Sequence, residues 1–150
     1  MNGPPEIAQE PILVVSSGLH VATGPAYAAL GRSAGGGLTS AFLSRKINSF
    51  QAFVESLANV RSAREASAFS ANDFEPVVFG QYPQLKTLLG KLRKAAEGAK
   101  ASGTVSGARG GGVGMTGSGS ALFALFRSQE ERARAEQVLR RDGALAGCRV

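Results

Sequence analysis

The sequence predicts an α+β domain in which an antiparallel sheet is covered on one face by helices. Three observations predict it. Residues 12–15 (Ile-Leu-Val-Val) and 121–126 (Ala-Leu-Phe-Ala-Leu-Phe) are short apolar runs with the length of buried strands. Two longer segments place apolar residues at i, i+3, i+4 and i+7, the period of an amphipathic helix. Hydrophobic residues make up 43% of the 150-residue chain and charged residues only 19%, enough to build one core and too apolar for a disordered chain.

Taken in order, residues 1–11 read as a polar, Pro-containing tail. The β-branched run at 12–15 is bounded by Ser16-Ser17-Gly18 and reads as a strand over 12–16. Thr23-Gly24-Pro25 offers a hydroxyl cap and a Pro for the first turn of a short helix over 26–30, stopped by Gly31. Residues 33–37 (Ser-Ala-Gly-Gly-Gly) are a loop. Phe50, Phe53, Val54 and Leu57 share one face of a helix near 48–58. Pro76 fits a helix only in its first turn, so a cap at Asn72 or Asp73 predicts a short helix from about 73 to 80. Leu85, Leu88, Leu89 and Leu92 repeat the helical spacing over 83–96, with Pro83 at the first position.

Residues 98–114 hold seven Gly and read as a flexible loop. A strand over 112–116 then leads to the 121–126 strand. Ser128-Gln129-Glu130-Glu131 is a capping box opening a helix over 129–142, with Ala135, Val138 and Leu139 inward and Gly143 at its end. Residues 145–150 read as a last strand.

Composition excludes several function classes. One Cys, Cys148, forms no intrachain disulfide, and with one His it forms no Cys/His metal framework. No apolar run approaches the ~20 residues needed to span a bilayer. Met1 to Pro11 resembles neither a signal peptide nor a transit peptide, so a cytoplasmic protein is expected. The net charge is +6, with basic residues concentrated in the second half (Lys86, Lys91, Arg93, Lys94, Lys100, Arg109, then Arg127, Arg132, Arg134, Arg140, Arg141, Arg149). They lack interleaved aromatics and read as solvated helix faces rather than a nucleic-acid surface.

The chemical signal lies in Gly117-Ser118-Gly119-Ser120. Glycines permit positive φ and close approach of a ligand to the backbone. Successive N–H groups in such a turn form an anion-binding concavity, to which Thr116, Ser118 and Ser120 add hydroxyls. No Gly-Lys-Ser/Thr follows, so it is not a Walker loop, and a strand rather than a helix follows, so it is not a dinucleotide fingerprint. A phosphate site and a plain tight turn both fit these residues.

Met115-Thr116-Gly117-Ser118-Gly119-Ser120-Ala121-Leu122-Phe123-Ala124-Leu125-Phe126 resembles the third, C-terminal motif of the GHMP kinases (galacto-, homoserine, mevalonate and phosphomevalonate kinases). Gly18-Leu19-His20-Val21-Ala22-Thr23-Gly24-Pro25-Ala26-Tyr27, Asn72-Asp73-Phe74-Glu75-Pro76-Val77-Val78-Phe79 and Tyr82-Pro83-Gln84-Leu85 are similar, in order, to segments of the branch that acts on a cytidine diphosphate compound in non-mevalonate isoprenoid biosynthesis. The resemblance covers about residues 12–145. It implies a ferredoxin-like C-terminal domain over 12–150, with the Gly-rich 98–114 loop longer than usual and Ala108-Arg109 as a displaced strand start. It implies an ATP-dependent small-molecule kinase, with Mg²⁺ carried by ATP, a cytidine diphosphate substrate, and no nucleic-acid or membrane partner.

By the same resemblance Thr116, Gly117, Ser118, Gly119 and Ser120 form a wall of the phosphate site. Tyr27 stacks on the cytosine, and Gly24 lets the backbone approach the base. The family's N-terminal domain, with its catalytic Asp and Lys and main ATP loop, is expected to be absent from these residues. No catalytic or metal-binding residue is therefore expected in this chain, which alone is expected to be inactive, and the N-terminal domain is its expected partner. The other readings are a fragment of a GHMP kinase for a homoserine- or mevalonate-type substrate, and a non-catalytic binding module that kept the fold. His20, the sole His, reads as structural or exposed. Asp73 and Glu75 read as helix-capping charges rather than an acid/base pair.

Overall fold

Alternation along the strands sets the architecture. In β1 (Ile12–Ser16) Leu13 and Val15 are buried, whereas Ile12 is 49% and Val14 42% exposed. In β3 (Ala121–Leu125) Leu122 and Ala124 are buried. The period of two sends these side chains to one face. The computed structural model describes residues 10–30, 48, 50–51, 72–99, 112–117 and 119–150. Among them the sheet is three-stranded and antiparallel, in the order β1-β3-β2, with β2 at Val113–Met115. Val15 and Met115 both lie opposite Leu122, and Leu13 and Val113 both lie opposite Ala124, so the core-facing residues run across the sheet in rows. The ladder continues past β3, where the Phe126 N–H donates to the Pro11 carbonyl at 2.8 Å.

The predicted strand over 145–150 is not formed. Gly143 (φ 63°) ends the preceding helix, and turns through Gly147 (φ 75°) use up the length a strand would need. Only Arg149 reaches the sheet, exchanging two backbone hydrogen bonds with Ser16 at 2.8 and 2.9 Å. That bridge lies beyond β1, so the order is that of a ferredoxin-like sheet with its outermost member reduced to one residue.

Four helices accompany the sheet among the described residues: α1 (Thr23–Ala29), α2 (Glu75–Gln81), α3 (Pro83–Gly98) and α4 (Gln129–Arg141). The predicted leucine stripe is the buried face of α3: Leu85, Leu88, Leu89 and Leu92 all lie in the core, followed by Ala95 and Ala96. Burial of each leucine contributes about 1.5–3 kcal/mol. α3 packs on α4 and on β2 and β3, and α4 packs on β1, so both cover the same sheet face. Ala135 and Leu139 of α4 face inward as expected, but Val138 is 45% exposed. The buried positions step by four residues (Glu131, Ala135, Leu139), which turns Val138 aside.

Ser128 caps α4 by accepting from the Glu131 N–H at 3.2 Å, and Glu131 Oε2 reaches back to the Arg127 N–H at 3.2 Å. Acidic residues fill the first turn and Arg140 and Arg141 the last, complementing the helix dipole. The Ala144 N–H bonds to the Leu139 carbonyl and the Gly143 N–H to that of Arg140, a Schellman ending with glycine in the left-handed position.

Two expected caps differ. α1 begins with Thr23 already helical after Ala22, and no side chain caps it, so the Thr23 hydroxyl does not serve as the cap. α2 has Phe74 as its N-cap rather than Asn72 or Asp73, although the Asn72 Oδ1 accepts from the Phe74 N–H at 3.0 Å just before it. Positions 48, 50 and 51 of the expected 48–58 helix are helical. The remainder of that helix, Gly31, the 33–37 loop and most of the 98–114 stretch lie outside the described residues. No helix among the described residues is long and apolar enough to cross a membrane.

Candidate functional site

The turn between β2 and β3 is closed by three hydrogen bonds. The Thr116 N–H and Oγ1 donate to the Ala121 carbonyl at 2.9 and 3.3 Å, and the Gly119 N–H donates to the Thr116 carbonyl at 3.1 Å. The turn needs left-handed backbone at Gly117 (φ 49°), Gly119 (φ 120°) and Ser120 (φ 70°). Among the described residues, the N–H groups of Gly117 and Ser120 and the Ser120 hydroxyl have no hydrogen-bond partner. The Thr116 carbonyl points into the turn, and peptide planarity therefore sends the Gly117 N–H outward. Ser118 lies outside the described residues.

A second layer holds the turn from the side. Asn72 Nδ2 donates to the Met115 carbonyl at 3.0 Å and to the Gly117 carbonyl at 2.8 Å. Glu75 Oε1 accepts from the Met115 N–H at 3.2 Å. These two side chains thus take the place that a further strand would occupy on the outer edge of β2. Glu75 also sits in the first turn of α2, where its charge suits the helix dipole. The next turn of α2 closes the back: a Cβ built on Gly119 would stand 3.2 Å from Val78 Cγ1 and from both Cγ atoms of Val21.

The residue between Asn72 and Glu75 carries the link onward. The Phe74 ring meets Tyr27 edge-to-face, with centroids 4.8 Å apart and planes at 77°, a favourable aromatic geometry. Tyr27 is 47% exposed on α1, so much of its ring stays open to a ligand. Gly24, in the first turn of the same helix, has no atom within 4 Å of where a Cβ would stand, leaving open space on that flank. The structure therefore connects the Tyr27 side and the 116–120 turn through the 72–75 segment. Sequence reasoning missed Asn72 and Glu75 as holders of this turn, and Ser17, whose N–H and hydroxyl donate to the Ser120 carbonyl; only the Asn72-Asp73-Phe74-Glu75 string pointed to the segment, and it reads locally as helix capping.

His20 is exposed, and its carbonyl accepts from the Tyr82 hydroxyl at 3.4 Å. Cys148 is half-buried beside a cleft of about 300 Å³ between α3 and the 143–148 turn, also lined by Lys91 and Thr87. That cleft contains none of the predicted site residues. The described basic residues lie on exposed faces, apart from half-buried Arg132, which pairs with Glu136 at 3.0 Å. Among the described residues no group of three His, Cys, Asp or Glu is placed to hold a metal ion.

Comparison with known proteins finds a matching family model and curated relatives. Residues 105–145 match the family model described as GHMP kinases C terminal. A 4-diphosphocytidyl-2-C-methyl-D-erythritol kinase of Solibacter usitatus is 36% identical over 138 residues, 92% of this chain and 37% of that protein. A 4-diphosphocytidyl-2-C-methyl-D-erythritol kinase of Prosthecochloris aestuarii is 34% identical over 95 residues, 63% of this chain and 28% of that protein. The chain thus spans well under half the length of these curated relatives. No solved structure matches it.

Proposed function

We propose, from the premise that residues 105–145 belong to the GHMP kinases C-terminal family, that this chain is the C-terminal part of an ATP-dependent kinase. The reaction transfers the γ-phosphoryl group of ATP to a hydroxyl of 4-diphosphocytidyl-2-C-methyl-D-erythritol. The observation that carries this reading is the placement of a turn with unengaged N–H donors and an exposed aromatic ring on either side of one short segment, residues 72–75. The names of the two relatives support the substrate.

In this reading the Gly117 and Ser120 N–H groups and the Thr116 and Ser120 hydroxyls line one wall of a phosphate site. Tyr27 stacks on the cytosine, and the open flank at Gly24 admits the base. Phosphoryl transfer depends chiefly on positioning and charge stabilisation. The catalytic Asp and Lys and the main ATP loop belong to the family's N-terminal domain, outside these residues, and Mg²⁺ enters with ATP as part of the substrate. A net charge of +6 attracts such a polyanion.

The test is calorimetric titration of ATP and of cytidine 5′-diphosphate, with a coupled turnover assay, on the 150-residue chain alone and mixed with the remaining part of the Solibacter usitatus relative. The chain alone binds both weakly and turns nothing over; the mixture binds both and is active. Tyr27→Ala lowers cytidine affinity about tenfold, the scale of one lost stacking contact, and leaves ATP binding in place. Cytidine binding indifferent to Tyr27→Ala favours a different GHMP substrate. Micromolar ATP binding or turnover by the chain alone overturns the division of labour.

A further inference from the structure

We infer that Asn72, Phe74 and Glu75 are positioning residues that set the phosphate turn and the nucleobase aromatic as one unit; the roles of the two ends rest on the kinase reading above, but the mechanical link does not. The 72–75 segment touches both ends with different atoms. Asn72 Nδ2 binds the Met115 and Gly117 carbonyls, and Glu75 Oε1 binds the Met115 N–H. The Phe74 ring packs edge-to-face on Tyr27. The segment is itself stiffened, because Asn72 Oδ1 accepts from the Phe74 N–H and the Asn72 carbonyl from the Glu75 N–H, both at 3.0 Å.

Each contact fixes something the ligand geometry needs. The edge strand β2 has only three residues, and the outward N–H and C=O of Met115 find their partners on these two side chains. An edge with such groups unpaired frays or pairs elsewhere. Gly117 has no side chain to anchor it, so the two hydrogen bonds from Asn72 Nδ2, to the Met115 and Gly117 carbonyls, hold the peptides on either side of the one that carries the Gly117 N–H. On the other end, Tyr27 sits on a seven-residue helix with no side-chain cap, and Phe74 is its aromatic neighbour. A helix that short is marginal by itself, so the ring's place depends on what it packs against. Movement of the segment therefore shifts both ends together.

The variants separate the link from general destabilisation. Asn72→Asp keeps the acceptor for the Phe74 N–H but removes the Nδ2 donor and sets a carboxylate against two carbonyls. Glu75→Ala removes the acceptor for Met115, whereas Glu75→Gln retains an oxygen acceptor there. Phe74→Leu removes the aromatic contact without emptying the site. Amide hydrogen exchange on the ligand-free 150-residue chain reads the result. Asn72→Asp and Glu75→Ala speed exchange at Met115 and Gly119 by roughly tenfold, the scale of one lost hydrogen bond. Glu75→Gln stays near the parent. Phe74→Leu speeds exchange at the same two amides, and amides in the middle of α3 and α4 are unchanged throughout.

Exchange at Met115 and Gly119 that ignores Asn72→Asp, or a uniform rise at every amide, overturns the inference, as does a Phe74→Leu effect confined to α1. The same variants are then titrated with cytidine 5′-diphosphate in the presence of the remaining part of the Solibacter usitatus relative. Asn72→Asp, which touches no base, weakens binding about tenfold, and Glu75→Gln does not. If the parent mixture binds no cytidine diphosphate, the kinase reading fails, while the exchange data still decide the link.

Discussion

The Ser17 N–H and the Ser17 hydroxyl both donate to the Ser120 carbonyl, each at 3.0 Å. Ser120 is the non-glycine residue with positive φ among the described residues. A left-handed L-residue costs roughly 1–2 kcal/mol, and two hydrogen bonds of about 1 kcal/mol each offset that. The strained residue stands at the head of β3, where the Ser120 N–H and hydroxyl border the proposed phosphate wall.

Ser17→Ala is therefore expected to lower stability by about 1 kcal/mol, seen as a lower urea midpoint at unchanged slope. Adding Ser120→Gly recovers part of the loss, because glycine takes this φ without a Cβ clash. A neutral Ser17→Ala would mean that the backbone donor alone holds the carbonyl.

The start of α4 offers a cleaner test, because two groups answer each other there. Ser128→Ala leaves the Glu131 N–H without its cap and is expected to cost about 1 kcal/mol; Ser128→Gly costs only a few tenths. Glu131→Ala strands the Arg127 N–H instead. If the two bonds form one reciprocal box, the double variant loses less than the two single losses added together, which thermal or urea unfolding of the four proteins resolves.

Much of this was legible locally. The 12–16 strand, the 83–96 leucine stripe, the 121–126 strand and the Ser128 box each carry a period or a cap within a few residues, and each appears within a residue or two of its expected bounds. The Gly117–Ser120 turn declared itself through its glycines. What stayed hidden depends on distant partners. Asn72 and Met115 are 43 positions apart, and Ser17 and Ser120 are 103 apart, and no local pattern marks such a pair. The 145–150 strand failed for a different reason: Gly143 and Gly147 both take positive φ, and the turns through them occupy the segment until only Arg149 pairs with Ser16. Val138 was misplaced because a step of four along α4 buries Leu139 instead.

Acid should loosen α4. Glu136 is held below the ordinary carboxylate range first by its hydrogen bonds from Arg140, opposed by burial, and then by the Arg140 charge and the Arg132 contacts. A carboxylate lowered in the folded state contributes stability that is present above its unfolded pKa and disappears as pH falls through the lowered value. Each i,i+4 pair supplies only ~0.3–0.5 kcal/mol, and salt screens it. Glu136→Gln should therefore cost under about 1 kcal/mol at pH 7 and nothing once the parent carboxyl is protonated. Urea midpoints across pH 7 to pH 2, at low and high salt, check this; a variant whose midpoint stays parallel to the parent's through the acid range would contradict it.

Three glycines with different surroundings give the sharpest contrast. Gly24 has φ outside the left-handed region and, its chain neighbours apart, nothing within 4 Å of a Cβ, but it precedes Pro25 inside α1, so the helix-propensity gain of Gly24→Ala is offset by the new Cβ against the proline ring and the net change should stay under about 1 kcal/mol. Gly117 also faces open space, but its φ of 49° is left-handed, so Gly117→Ala should cost roughly 1 kcal/mol of backbone strain. At Gly119 both penalties meet. Its φ of 120° is one that side chains rarely adopt, and a methyl group would press on Val21 and Val78 at 3.2 Å. Gly119→Ala is expected to cost about 2–4 kcal/mol, and to push α2 away from the turn and with it the Asn72 and Glu75 side chains. Urea denaturation orders the three as Gly24→Ala closest to the parent, Gly117→Ala below it and Gly119→Ala lowest. Function should follow a different order: Gly24→Ala, the mildest change for stability, fills the flank beside Tyr27 and should still weaken cytidine diphosphate binding in the mixture with the remaining part of the Solibacter usitatus relative. A Gly24→Ala protein as stable as the parent and fully competent for that ligand would remove Gly24 from the proposed base site.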